Sequence, residues 1–119
     1  MLILVVEDEA DIRESLVVFA AKAGWTADAV ASGEEALAYL KKTHPDIVVS
    51  DFNMPRMTGI QLLNNIRKDG SLSGIPFALM TGGTDIDERG AKRAGCNGFL
   101  AKPFGLRVFQ ELLGRFAPR

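Results

Sequence analysis

Four short stretches of this chain put reactive side chains directly behind apolar runs. VVEDE (residues 5–9) carries Glu7 and Asp8, DIVVSDFNMPRMTG (46–59) carries Asp51, ALMTG (78–82) carries Thr81, and FLAKPF (99–104) carries Lys102. Such a run reads as a buried strand, so a carboxylate at its end is delivered to the rim of a core rather than to open solvent. Several carboxylates gathered at one spot repel unless a cation joins them, and hard oxygen donors with room for water suit Mg²⁺. A strand-end aspartate such as Asp51 can attack phosphorus and become an acyl phosphate. Phosphoryl transfer asks mainly for positioning and charge neutralisation, and Mg²⁺ with Lys102 would supply the neutralisation. Thr81 would donate its hydroxyl to a phosphoryl oxygen.

These groups meet only if their strands do. Apolar runs recur at residues 2–6, 26–30, 47–50, 77–80 and 98–101, the second being the weakest. Helical spacing fills the gaps. Ile12, Leu16, Phe19, Ala20 and Ala23 lead to a stop at Gly24, and Ser32 with Glu35 predicts a capping box for a helix carrying Ala36, Leu37 and Leu40. After Pro55 and Gly59, expected to close a turn, Ile60, Leu63 and Ile66 or Arg67 mark a third helix. Thr84 is expected to cap a fourth, short and polar and weakened by Gly90, and Leu106, Phe109, Leu112, Leu113 and Phe116 make the last. Strands alternating with helices predict an α/β fold, a doubly wound (βα)5 three-layer sandwich around a parallel five-stranded sheet. Ligands in such sheets sit beyond the carboxyl ends of the strands, where the strand order reverses. With the flavodoxin-like order 2-1-3-4-5, Glu7, Asp8 and Asp51 meet at that point, and Thr81 and Lys102 stand beside them.

Composition narrows the field. A chain of 119 residues fits one domain, 1–119, able to bury roughly two-thirds of its unfolded surface without disulfide or structural metal. Cys96 is the only cysteine, which rules out an internal disulfide and a cysteine-based zinc site. Fourteen Lys and Arg against fifteen Asp and Glu give a formal charge of −1, which argues against a surface built to coat nucleic acid. The amino terminus turns acidic at Glu7 after a short apolar run, unlike a signal peptide or a membrane span, so a soluble cytoplasmic protein is expected.

The four stretches, in this order and at these spacings over the whole chain, resemble the receiver domain of two-component response regulators. The resemblance implies that Asp51 takes a phosphoryl group from a phosphohistidine on a partner histidine kinase or phosphotransfer protein. It implies that Asp8, Asp51 and the main-chain carbonyl of Asn53 hold Mg²⁺, with Glu7 acting directly or through water. Lys102 and Thr81 are assigned to the phosphoryl oxygens, and Thr81 with Phe99 to the switch that alters partner binding on the surface from the fourth helix to the fifth. Such a domain is a signalling unit that promotes only its own phosphorylation and dephosphorylation. Glu7 stands where an aspartate pair is frequent, and Phe99 where tyrosine is frequent, so Phe99 would report the switch through packing alone.

Plainer roles exist for each residue. A strand-end aspartate is often a turn former, a lysine before proline is often an exposed loop residue, and strand aromatics are commonly core. Asp51, Asp8, Thr81 and Lys102 in register outweigh those readings. His44, beside Pro45, is expected at the surface, Trp25 and Cys96 are expected to pack, and DIDERGAKR (85–93) reads as a solvated face or a docking surface. A phosphatase of the haloacid dehalogenase kind would want an aspartate two positions after the nucleophile, where Asn53 stands. A flavodoxin-like electron carrier would want a hydroxyl-rich loop after the first strand, and EDEAD would repel the phosphate of FMN. A receiver-like interaction module that is never phosphorylated is the remaining alternative. The chain closes on GRFAPR with no room for a DNA-binding domain, as expected of either a stand-alone receiver or the amino-terminal part of a longer regulator. Finally, carboxylates crowded around one lysine should repel one another and raise the pKa of at least one of them.

Overall fold

The first strand shows how the sequence builds both faces of the molecule at once. In the computed structural model, which describes residues 1–117, Ile3, Leu4, Val5 and Val6 are all fully buried. Successive strand side chains point to opposite faces, so Leu4 and Val6 enter one core while Ile3 and Val5 enter the other. Each such side chain contributes about 1.5–3 kcal/mol through burial.

The strands are β1 (Leu2–Val6), β2 (Thr26–Val30), β3 (Ile47–Asp51), β4 (Phe77–Thr81) and β5 (Gly98–Ala101). The helices are α1 (Ala10–Lys22), α2 (Gly33–Leu40), α3 (Gly59–Lys68), α4 (Glu88–Ala94) and α5 (Leu106–Gly114). All pairings are parallel and the sheet runs β2-β1-β3-β4-β5, the expected order. One core gathers Val48, Phe77 and Leu79 with Leu40 of α2, Leu62, Leu63 and Ile66 of α3 and Ala91 of α4. The other gathers Val49, Met80 and Leu100 with Leu16 and Ala20 of α1 and Phe109, Leu112 and Leu113 of α5. Strand β2, the weakest run, is an edge strand with Thr26, Asp28 and Ala29 exposed. Trp25 and Cys96 are buried in the two cores and His44 is exposed, as expected. Among the described residues no helix is long and apolar enough to cross a membrane. The expected domain range 1–119 includes Pro118 and Arg119, which lie outside the described residues.

Several boundaries differ from the sequence reading. Strands β3 and β4 each run one residue further, so Asp51 and Thr81 are the last residues of their strands rather than the first after them. Helix α4 is capped by Asp87, not Thr84: the Asp87 carboxylate accepts from Gly90 N–H at 2.8 Å. Aspartate is the better cap, and two glycines just before Thr84 favour irregular backbone there. The box expected at Ser32 is half made. Ser32 Oγ accepts from Glu35 N–H at 3.1 Å, but the Glu35 carboxylate accepts from the Ser32 hydroxyl instead of the backbone. A complete reciprocal box occurs at Thr58 and Gln61. Phe116 lies in a turn beyond α5, its ring still packed on the core.

Gly59 does more than close a turn. It is the first residue of α3, and a Cβ there would stand 2.5 Å from the Asp51 carbonyl oxygen and 2.8 Å from Leu79 Cδ1. Its N–H donates to Phe52 O at 2.9 Å. The missing side chain therefore lets α3 start directly against the strand end that carries Asp51.

Candidate functional site

Strand register places the reactive residues along one edge of the sheet. Val6 pairs with Ser50, Asp51 with Met80, and Thr81 with Ala101, so Glu7 and Asp51 emerge at one level and Thr81 and Lys102 one and two steps further, from four adjacent strands. Glu7 leaves β1 with its N–H bonded to Val30 O at 3.1 Å. Asp51 is held by its own strand, and its carbonyl accepts the Ser50 hydroxyl at 3.0 Å.

The carboxylates of Glu7, Asp8 and Asp51 each offer an oxygen, and these oxygens lie within 4.8 Å of one another. Lys102 reaches in from the end of β5, with Nζ 2.8 Å from Glu7 Oε1 and 3.1 Å from Asp51 Oδ1. The Glu7 side chain is fully buried and that of Asp51 is 9% exposed, whereas Asp8 is exposed. Two buried carboxylates thus share one partly buried cation, and the third is exposed to solvent. Cations left out of water repay their desolvation only with close partners, which is the arrangement seen around Lys102.

The protonation preferences follow from this packing. Burial drives the Glu7 carboxyl above its ordinary 4.5; hydrogen bonds from Lys102 and from Glu9 N–H pull it part of the way back, and the Asp51 charge adds to the rise. The expected upward shift is therefore found at Glu7, but burial, not like-charge repulsion, is its largest cause. Burial also works against the Lys102 charge, yet the bonds to Glu7 and Asp51 prevail and its pKa is raised. Lys102 is accordingly held as the charged donor of its 3.1 Å contact with Asp51.

A cleft of about 280 Å³ opens over this edge, lined by Asp51, Asn53, Thr81 and Lys102. Thr81 is buried and its Oγ1 accepts from Gly83 N–H at 3.2 Å, which leaves the hydroxyl proton free to donate elsewhere. Glu9 and Asp85 stand on the rim of the same cleft. A roomier and more apolar cleft of about 420 Å³ lies next door, between α1 and the segment Lys102–Phe104. The polar cleft is the one lined by Asp51 and Thr81 together with Lys102. Phe99 is not in it: the ring is half-buried on β5, packed against the core shared with α3 and α4. Glu7, Asp8, Asp51, Thr81 and Lys102 come together as expected from sequence, with Asn53 at the opening. Sequence reasoning missed Gly59, the rim acids, and Arg13, whose guanidinium bonds the Glu7 carbonyl at 2.8 Å. None of these carries a local signal, because each depends on which loop lies opposite.

A divalent cation fits the donor set. Three hard carboxylate oxygens within one small volume, opposed by a single lysine, leave excess negative charge and no soft ligand, which suits Mg²⁺.

Comparison with known proteins gives a consistent result. The profile of the response regulator receiver domain matches residues 3–113. The chemotaxis protein CheY of Pseudomonas aeruginosa is 36% identical over 121 residues, covering 100% of this chain and 98% of that protein. The solved chemotaxis response regulator CheY4 of Vibrio cholerae superposes with a TM-score of 0.88 at 31% identity, over 98% of both chains. The receiver domain of the sensor histidine kinase PA1611 from Pseudomonas aeruginosa, solved with a magnesium ion coordinated in its active site cleft, superposes with a TM-score of 0.87 at 26% identity, over 97% of this chain and 95% of that one. Other curated relatives are longer, and the chain spans 45% and 42% of two of them. Fold, strand order and match over nearly the whole length place this chain in the response regulator receiver domain family, the phosphoacceptor signalling units of two-component systems.

Proposed function

We propose that Asp51 is the phosphoacceptor of this receiver and that the whole chain, residues 1–119, works as one receiver domain. The observation that carries the assignment is the Lys102 bridge: one cation touches Asp51 and Glu7, and a third carboxylate, the exposed Asp8, completes the cluster. In the proposed reaction a carboxylate oxygen of Asp51 bonds to phosphorus as the bond from phosphorus to the donor imidazole breaks. Lys102, held charged in the resting site by its bonds to Glu7 and Asp51, moves from the carboxylate toward the phosphoryl oxygens. Glu7, Asp8, Asp51 and the Asn53 carbonyl would hold Mg²⁺, which supplies charge neutralisation for the transferring group. The domain acts on itself alone, promoting its own phosphorylation and dephosphorylation.

The response begins at Thr81. A phosphoryl group adds roughly −1.5 to −2 charges and three acceptor oxygens, and the Thr81 hydroxyl already lines the cleft. Moving toward it costs Thr81 its bond from Gly83 N–H, and Phe99 repacks into the space released. The α4–β5–α5 surface then changes its affinity for a downstream protein. The partners are a histidine kinase or a phosphotransfer protein on one side and that target on the other, in the cytoplasm, without nucleic acid or membrane.

Incubation with a small acyl phosphate and Mg²⁺, read by intact mass, tests the acceptor. Wild type is expected to gain one phosphoryl group and Asp51→Asn none. Asp46→Asn serves as control, since Asp46 lies at the other end of β3, where it accepts from Leu2 N–H at 2.7 Å. Undiminished labelling of Asp51→Asn overturns the assignment.

A further inference from the structure

The two acidic residues after β1 are supported very differently. Glu7 is fixed through its own carboxylate, which accepts from Lys102 and, at 3.2 Å, from Glu9 N–H. Asp8 is exposed, and among the described residues the bonds at this position reach its backbone rather than its carboxylate. Where the Asp8 side chain points is therefore decided by the backbone of the turn.

That backbone is gripped by Arg13, one turn into α1. Nη1 donates to Glu7 O at 2.8 Å and lies 3.4 Å from Asp8 O, while the Arg13 N–H donates to Glu9 O at 2.9 Å. A single guanidinium nitrogen, Nη1, thus reaches both carbonyls, so both are aimed by one group. With the carbonyls of residues 7 and 8 turned back onto α1, the Asp8 carboxylate is left directed toward Asp51, within the 4.8 Å cluster.

We propose that Arg13 is a positioning residue for the acidic turn and sets how tightly Glu7, Asp8 and Asp51 hold a divalent cation; this rests on the Mg²⁺ reading above. The sign separates positioning from charge. Arg13 is itself a cation close to the carboxylates, so simple loss of its charge would tighten Mg²⁺ binding. Loss of its grip would loosen binding, and groups that orient metal ligands typically account for about 10–100-fold in metal affinity.

The test is isothermal titration of Mg²⁺ into the full chain, with amide chemical shifts of Asp8 and Asp51 followed in parallel. Arg13→Met is expected to raise the Mg²⁺ dissociation constant by about tenfold, and Arg13→Lys, which keeps one donor, to recover part of the loss. Leu16→Ala, in the core face of the same helix, is the control: it should lower the melting temperature and leave the constant unchanged. Tighter or unchanged binding by Arg13→Met overturns the proposal, as does equal weakening by Leu16→Ala. If wild type itself takes up no Mg²⁺, the metal reading falls and this one with it. If wild type binds and Arg13→Met matches it, only the Arg13 assignment falls.

Discussion

Lys102 and Arg67 each tie distant loops together, at opposite ends of the sheet, and they do so against different partners. Lys102 binds two carboxylates, Glu7 and Asp51, in a cluster that keeps net negative charge. Arg67, near the end of α3, donates to the carbonyls of Ser73, Ile75 and Gly95 and to Asn97 Oδ1, at 2.7–3.0 Å. Its partners are neutral, and Asn97 Oδ1 also accepts from Phe77 N–H at the start of β4. A cation among neutral acceptors has nothing to gain by letting go. A cation shared between carboxylates can exchange them for a phosphoryl group at little cost, because the new acceptor carries more charge. The difference sets a fixed end of the sheet against one that, on the proposed reading, is switchable.

The largest expected effect breaks the fixed end. Arg67→Met keeps the aliphatic stem and removes every donor, leaving the carbonyls to loose water, so unfolding by urea should show a loss of about 2 kcal/mol. Protection of the Gly95–Asn97 turn against hydrogen exchange should fall with it. A loss under about 0.5 kcal/mol, the range of an ordinary surface change, would erase the contrast.

A smaller effect, of opposite sign, belongs to the switchable end. Asp51→Asn removes one of the clustered charges and keeps the side-chain shape. In EDTA at neutral pH it should melt higher than wild type, by on the order of 1 kcal/mol. In Mg²⁺ the order should narrow or reverse, since wild type gains RT ln(1 + [Mg²⁺]/Kd) and the variant gains less. A variant that melts lower in EDTA would mean that the three carboxylates are not under mutual strain.

The smallest effect is a trend with pH. The folded pKa of Glu7 is raised by burial, so the stability tied to its protonated form is complete below the ordinary 4.5 and is lost as pH rises through the folded value. Glu7→Gln cannot ionise. Relative to wild type in EDTA, it should therefore gain stability as pH climbs from 4.5 toward neutrality, in denaturant melts at a series of pH values. A difference that stays flat would mean Glu7 titrates as though unfolded.

The contrast also explains which features could be read in the sequence. Glu7, Asp8, Asp51, Thr81 and Lys102 all sit at or beside the end of an apolar run, and a parallel sheet with aligned strand ends brings such residues together without further information. Strands β1, β3 and β4 were legible for the same reason, since their side chains are buried on both faces, whereas the exposed edge strand β2 left the weakest run. Arg67 was noticed only as a possible helix-face position, because its partners stand up to 30 residues away and nothing local announces them. Gly59 looked like a turn residue; that it must lack a side chain follows from the Asp51 carbonyl beside it. Helix α4 was legible as short and polar, but its start was misplaced, because with only Ala91 buried there is little periodicity to locate it.

The bond between Lys102 and Glu7 spans 95 positions of the chain. It joins the residue after the first strand to the residue after the last, and β5 is an edge strand that pairs with β4 alone. Lys102 therefore reaches Glu7 and Asp51 only after the final strand has docked. A nascent or partly opened chain presents Asp51 without its lysine, so on the proposed reading competence to accept a phosphoryl group would certify that folding is complete.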